Sequence, residues 1–200
     1  MDVIVKTLQS EREARERFEK WLFTQIDQSG IQLDALVQRS PGWHNARKSK
    51  LTASRFGVIA EVSRYADAHA LWEVMVGQII AEIVDNNHVR RGQVEESVAI
   101  RAYEQITATR VEATGLFLAA EPLSYLGASP DGLLADGKGL LEIKSPANAT
   151  GWTNQSISDE YMAQVQGQLA ICNREYCDFC MWHKSSGLQI YRVYRSHEYW

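Results

Sequence analysis

Cysteine is scarce, at three residues in 200, and the count is odd. An odd set in a chain with no secretory leader argues against a disulfide framework and for reduced thiols. Cys177 and Cys180 make a C-x-x-C, but "REYCDFCMWH" reads as a strand. Strand positions three apart face opposite sides, which is poor geometry for a shared zinc ion. Proline is nearly as scarce, at four, and no linker, repeat or low-complexity tract divides the chain. One domain over residues 1–200 is expected. No run of about 18 apolar residues occurs, so no membrane-spanning helix is expected. The N-terminus has neither a basic leader nor a small-residue cleavage site, so the expected location is the cytoplasm. Excess positive charge is also missing, since the net charge is −4. That excludes a uniformly basic nucleic-acid coat but leaves room for a local basic groove.

What is present is an ordinary globular composition, 45% apolar and 23% charged. "SEREARERFEKWLFTQIDQ" predicts a helix with Phe18, Leu22 and Ile26 on one face. "RSPGWHNARKSK" reads as a loop, and Thr52 as the cap of a helix "ASRFGVIAEV". Within "NARKSKLTASR", Arg47, Lys48, Lys50 and Arg55 gather with no acid among them. Helices are expected near 67–86 and 92–107, then strands "GLFLAA", "LGASPDGLLA" and "GLLEIKS". A polar loop with Asn148, Gly151 and Asn154 leads to a helix near 159–172. "YCDFCMWH" and "LQIYRVYR" around "KSSG" form a closing hairpin. The order predicts an α/β domain with a mixed central sheet.

"SPDGLLADGKGLLEIKSP", residues 129–146, sets three charges in apolar strands. A two-residue loop at Asp136-Gly137 places Asp131 opposite Glu142. A four-residue loop from Asp136 to Gly139 places Asp131 opposite Lys144 instead. Either register converges Asp131, Glu142 and Lys144 on one face. Paired carboxylates repel unless one protonates or a cation lies between them, and oxygen ligands suit Mg²⁺ or Mn²⁺. Such an ion acidifies water and stabilises charge on a phosphoryl oxygen. The competing reading at this point is a solvated ion pair at a strand end.

Pro130-Asp131 followed by Glu142-Ile143-Lys144 resembles the PD-(D/E)XK nuclease pattern. With "GWHNARKSKLTASRFGVIA", "RRGQVEES" and "YMAQVQGQL" in the same order, the chain resembles the lambda-type phage exonucleases over about residues 41–171. The resemblance implies an α/β PD-(D/E)XK fold, with a central mixed sheet of about five strands flanked by helices. A nuclease core over 41–195 would follow a helical segment, 1–38. It implies a Mg²⁺-dependent exonuclease, with Mn²⁺ as a substitute, that degrades one strand of linear duplex DNA from its 5′ end. The products would be 5′-mononucleotides and a 3′ overhang. Metal ligands would be Asp131, Glu142 and the main-chain carbonyl of Ile143. Lys144 would be the catalytic lysine, and Glu96 and Gln164 would complete the active site. The pocket for the terminal 5′-phosphate falls on Arg47, Ser54 and Ser129, with Thr52 and Trp43 nearby. A helix start at Thr52 would add N–H groups for that phosphate.

The same resemblance implies a homotrimeric ring around DNA, processive digestion and a single-strand-annealing partner. It also implies a phage or prophage protein acting in the cytoplasm of a bacterial host. Two other classes stay open: a restriction- or repair-type endonuclease of this superfamily, and a non-catalytic DNA-end binding module.

Overall fold

The computed structural model describes residues 31–33, 38–64, 66–78, 87–146 and 156–199. Nine strands fall into two sheets among them. The smaller sheet has the order β1-β4-β5-β2, built from β1 (Ile31–Leu33), β2 (Leu51–Thr52), β4 (Leu116–Leu118) and β5 (Leu126–Ala128). The larger has the order β3-β6-β7-β8-β9. Its strands are β3 (Val111–Glu112), β6 (Gly132–Leu134), β7 (Gly139–Lys144), β8 (Tyr176–His183) and β9 (Gly187–Tyr194). Its pairs are antiparallel except β7–β8, which is parallel. A parallel pair needs a crossover, and helix α5 (Asp159–Ile171) supplies it. This is the mixed five-stranded sheet that the resemblance implies, but "GLFLAA" and the first half of "LGASPDGLLA" pair in the smaller sheet, and β3, which no sequence pattern announces, takes the edge.

Period-two alternation divides the core. Leu140, Cys177, Phe179 and Met181 face α5, in a cluster with Val165, Leu169 and Ile171. Leu141, Ile143, Tyr176 and Cys180 face α4 (Asn87–Thr107), against Ala99 and Tyr103. Cys177 and Cys180 therefore sit on opposite faces, as free buried thiols. Residues 163–171 of α5 are all buried, so this helix lies inside the molecule. Burying each of Val165, Leu169 and Ile171 contributes about 1.5–3 kcal/mol. On the α4 face, buried Asp178 accepts from Tyr103 Oη at 2.5 Å and from Arg192 at 2.8 and 2.9 Å.

Several local expectations are corrected. Residues 41–48, read as a loop, form helix α1 (Pro41–Lys48). Ser40 Oγ accepts from Trp43 N–H and Pro41 opens the helix, a favoured N-terminal pair. The helix expected from Thr52 shrinks to a 3₁₀ turn, Ala53–Arg55, and one turn of α2 (Phe56–Ile59). Glu61 ends it at φ 56°, with Val62 N–H donating to Gly57 O and Glu61 N–H to Val58 O. That is a Schellman stop made without glycine. Helix α3 spans Ala68–Met75, capped by Asp67; residues 76–78, read as helical, form a turn with Gly77 at φ 76°, and the stretch from 79 to 86 lies outside the described residues. "LGASPDGLLA" is two strands in different sheets, because Pro130 has no N–H for a continuing ladder. Within the segment 1–38, expected to be helical, Ile31–Leu33 is a strand paired with Leu116–Leu118. The remainder of that helix, and the loop at Asn148, Gly151 and Asn154, lie outside the described residues. No helix among the described residues is long and apolar enough to cross a membrane.

Candidate active site

The hairpin decides between the two registers. Gly132 pairs with Leu141 and Leu133 with Leu140, so one step outward Asp131 faces Glu142. The strand ends are separated by residues 135–138, more than a tight two-residue turn. Asp136 Oδ1 accepts from Lys138 and Gly139 N–H, and Gly137 takes φ 74°. At Gly132, a Cβ would come within 2.3 Å of Val111 Cγ1, so β3 can approach only a glycine there.

Glu142 is 3% exposed and its carboxylate is bonded on both oxygens. Oε1 accepts from Lys144 Nζ at 2.7 Å and Gln164 Nε2 at 2.6 Å, and Oε2 from Gln168 Nε2 at 2.7 Å. Lys144 Nζ also donates to Gln164 Oε1 at 3.0 Å and lies 5.1 Å from the Tyr161 ring centroid. Burial alone would lower the Lys144 pKa, but Glu142 and Asp131 outweigh it and hold the ammonium above its ordinary value. Asp131 Oδ2 accepts from Ile143 N–H at 2.7 Å. Burial first, then Glu142 and Glu96, pushes the Asp131 carboxyl well above the usual range. Glu96, on α4, is ion-paired to Arg39. Burial raises its pKa against the pull of Arg39, and Glu142 adds repulsion. The structure thus brings Asp131, Glu142, Lys144, Gln164 and Glu96 into one electrostatic neighbourhood.

The donor chemistry fits a hard divalent ion. Asp131 and Glu142 offer carboxylate oxygens. On a strand, a residue's N–H and C=O point to one edge, so the Ile143 carbonyl shares the edge of Asp131. Pro130, opposite Ile143 in this register, has no N–H to give that carbonyl. Mg²⁺ takes a few oxygen ligands and keeps several waters, and a cation between the carboxylates relieves the repulsion that raises Asp131. Among the described residues no cluster of three or more His, Cys, Asp or Glu forms a ready cage. A metal here would draw on the main chain as well.

The second group lies against the first. Trp43 Nε1 donates to Ser129 Oγ at 3.1 Å, and the Arg47 guanidinium stacks 4.1 Å over the Trp43 ring. Ser129 is two residues from Asp131. Burial first, then repulsion by Arg55, pushes Arg47 down to about 10 against the pull of Glu142, so it stays a cation at neutral pH. No carboxylate among the described residues forms an ion pair with it. A half-buried cation so placed suits an anionic ligand. Thr52 Oγ1 lies 3.2 Å from Ser54 Oγ. The helix start expected to bind phosphate there is only a 3₁₀ turn and four α residues, too short to contribute a useful dipole. Trp43, expected near the phosphate pocket, has one face covered by Arg47.

Gln168 is the site residue missed in the sequence. It shares a helix face with Gln164, one turn away, and is 1% exposed. The i, i+4 spacing of two glutamines on a helix facing an E-x-K strand was the available signal.

A five-stranded mixed sheet carrying P-D and E-x-K across a hairpin, with a helix glutamine on the glutamate, defines a nuclease of the PD-(D/E)XK fold. Residues 42–175 match the model of the YqaJ-like viral recombinase domain, and the chain belongs to that family. It is similar to the alkaline exonuclease LHK-Exo of Laribacter hongkongensis, at 28% identity and TM-score 0.65, over 80% of this chain and 84% of that one. LHK-Exo in complex with dAMP matches at the same identity and coverage, with TM-score 0.67. Comparison with curated proteins yields no match.

Proposed function

We propose that this chain is a Mg²⁺-dependent exonuclease that digests one strand of duplex DNA from a 5′-phosphorylated end. One observation carries the reading: Ser129, bonded to the Trp43–Arg47 pair, stands two residues from Asp131. An anion-binding group beside a hydrolytic one suits an enzyme that reads ends. The Laribacter relative is an alkaline exonuclease that has been crystallised with dAMP, and both facts support it.

Arg47 and the Ser54 and Ser129 hydroxyls grip the terminal phosphate and draw the next phosphodiester to Glu142 and Lys144. A divalent ion held by Asp131, Glu142 and the Ile143 carbonyl would supply an acidified water and neutralise phosphoryl charge. Lys144 directs positive charge at the phosphoryl group, while Gln164 and Gln168 fix the Glu142 carboxylate. Water adds to phosphorus and the P–O3′ bond breaks. A 5′-mononucleotide leaves, and the strand keeps a new 5′-phosphate. Repetition leaves a 3′ overhang for an annealing protein, in line with the recombinase family. A homotrimeric ring in a bacterial cytoplasm completes the reading, and sedimentation checks the trimer.

The test is one assay on linear duplex with 5′-phosphate or 5′-hydroxyl ends and on a covalently closed circle, with and without Mg²⁺. Rapid loss of the 5′-phosphorylated linear DNA alone, only with Mg²⁺, is expected. Cutting of the circle would make it an endonuclease. Binding of ends without any cleavage would make it an end-binding module.

A further inference from the structure

The carboxylates have neighbours on both flanks of the sheet face under α5. Register sets Glu142 beside Phe179, Lys144 beside Met181, and Phe179 beside Tyr191. Registered residues share a face, one strand spacing of about 4.8 Å apart. Strand order puts Asp131, and Ser129 before it, on the other flank. Phe179, Met181 and Tyr191 line a cavity of about 290 Å³. Tyr161 also lines it, its ring 5.5 Å from that of Phe179 and 5.1 Å from Lys144 Nζ. The cavity therefore begins one aromatic ring away from the catalytic lysine.

Its lining is selective. Aromatic and thioether surfaces suit a flat polarizable ring. Ser156 and Arg64 add hydrogen-bond donors, whereas Asp159 and Glu160 repel a phosphate. The volume is at the lower end of small-molecule sites, roughly 300–1,000 Å³, and suits a single base.

We propose that this cavity seats the base of the second nucleotide from the 5′ end, the one that carries the scissile phosphate. The proposal rests on the 5′-phosphate grip argued above. With the terminal phosphate held on the Ser129 flank, the strand crosses Glu142 and Lys144 and its next base arrives on the Phe179 flank. Capture of that base offsets part of the cost of opening the end of the duplex.

The test is single-turnover cleavage of the first phosphodiester in 5′-phosphorylated duplexes that carry either a normal base or an abasic tetrahydrofuran at nucleotide two. The normal base is set in a mismatch, so pairing at that position is absent from both duplexes and only the base differs. Wild type should cut the abasic duplex about tenfold more slowly, equivalent to one stacking contact of ~1.4 kcal/mol. Tyr191→Ala, and Ser156→Trp, which fills the cavity from its exposed rim, should cut both duplexes equally slowly. Equal wild-type rates on the two duplexes, or full sensitivity to the missing base in both variants, would overturn the proposal. Failure of wild type to cut any linear duplex would instead remove the exonuclease reading, and this inference with it.

Discussion

Gln168→Leu separates stability from chemistry. Gln168 Nε2 donates to Glu142 Oε2 at 2.7 Å inside the protein, and a hydrogen bond to a charged group contributes about 1.5–3 kcal/mol. Its Oε1, however, is buried with no partner, an arrangement that costs about 1–3 kcal/mol. Leucine removes both in a similar volume but leaves the buried Glu142 Oε2 without its donor. The metal-free chain should therefore lose about 1–3 kcal/mol of global stability. The Glu142 carboxylate loses the contact that fixes one oxygen. Loss of such an outer contact commonly lowers metal affinity or activity about 10–100-fold. Urea unfolding of the metal-free chain gives the first quantity, and calorimetric titration with Mn²⁺ the second. Unchanged Mn²⁺ affinity alongside full cleavage would refute the role given to Gln168. So would a stability loss well beyond that range with Mn²⁺ affinity unchanged, because it would make the residue a purely structural one.

Lys144→Ala should reduce cleavage by about 10²-fold or more, while DNA binding in Ca²⁺, measured by fluorescence anisotropy, stays within a few-fold of wild type. Arg47→Ala should erase the preference for 5′-phosphate over 5′-hydroxyl ends. One lost charge-assisted contact corresponds to roughly 10–100-fold, read as a ratio of rates on the two ends. Asp178→Ala strands the Tyr103 hydroxyl and the Arg192 guanidinium. Arg192 is half-exposed, so the expected loss is about 2–3 kcal/mol by urea unfolding, below that of a fully buried pair.

Four strands of the central sheet were legible because they are apolar runs bounded by turn residues; the two-residue β3 at its edge was not. The register of Asp131 and Glu142 was legible only as one of two alternatives, since loop length does not by itself settle strand pairing. Cys177 and Cys180 follow directly from period two. Burial of α5 was not legible. Its Tyr161, Gln164 and Gln168 stripe has the look of a solvent face, yet the helix is enclosed between the sheet and the segment around α2, and its glutamines bond Glu142 instead of water. The Ser40-Pro41 helix start is hidden by the loop-like composition around it. Two- and three-residue strands such as β2 and β1 owe their existence to distant partners, Leu126–Gly127 and Leu116–Leu118, which no local pattern announces.

Anomalous diffraction from crystals soaked in Mn²⁺ tests the central claim most directly. The account predicts a peak touching the Asp131 and Glu142 carboxylates and the Ile143 carbonyl, lost in Asp131→Asn. Two carboxylates turned away from each other with no peak between them, in crystals of protein that still degrades DNA, would contradict it.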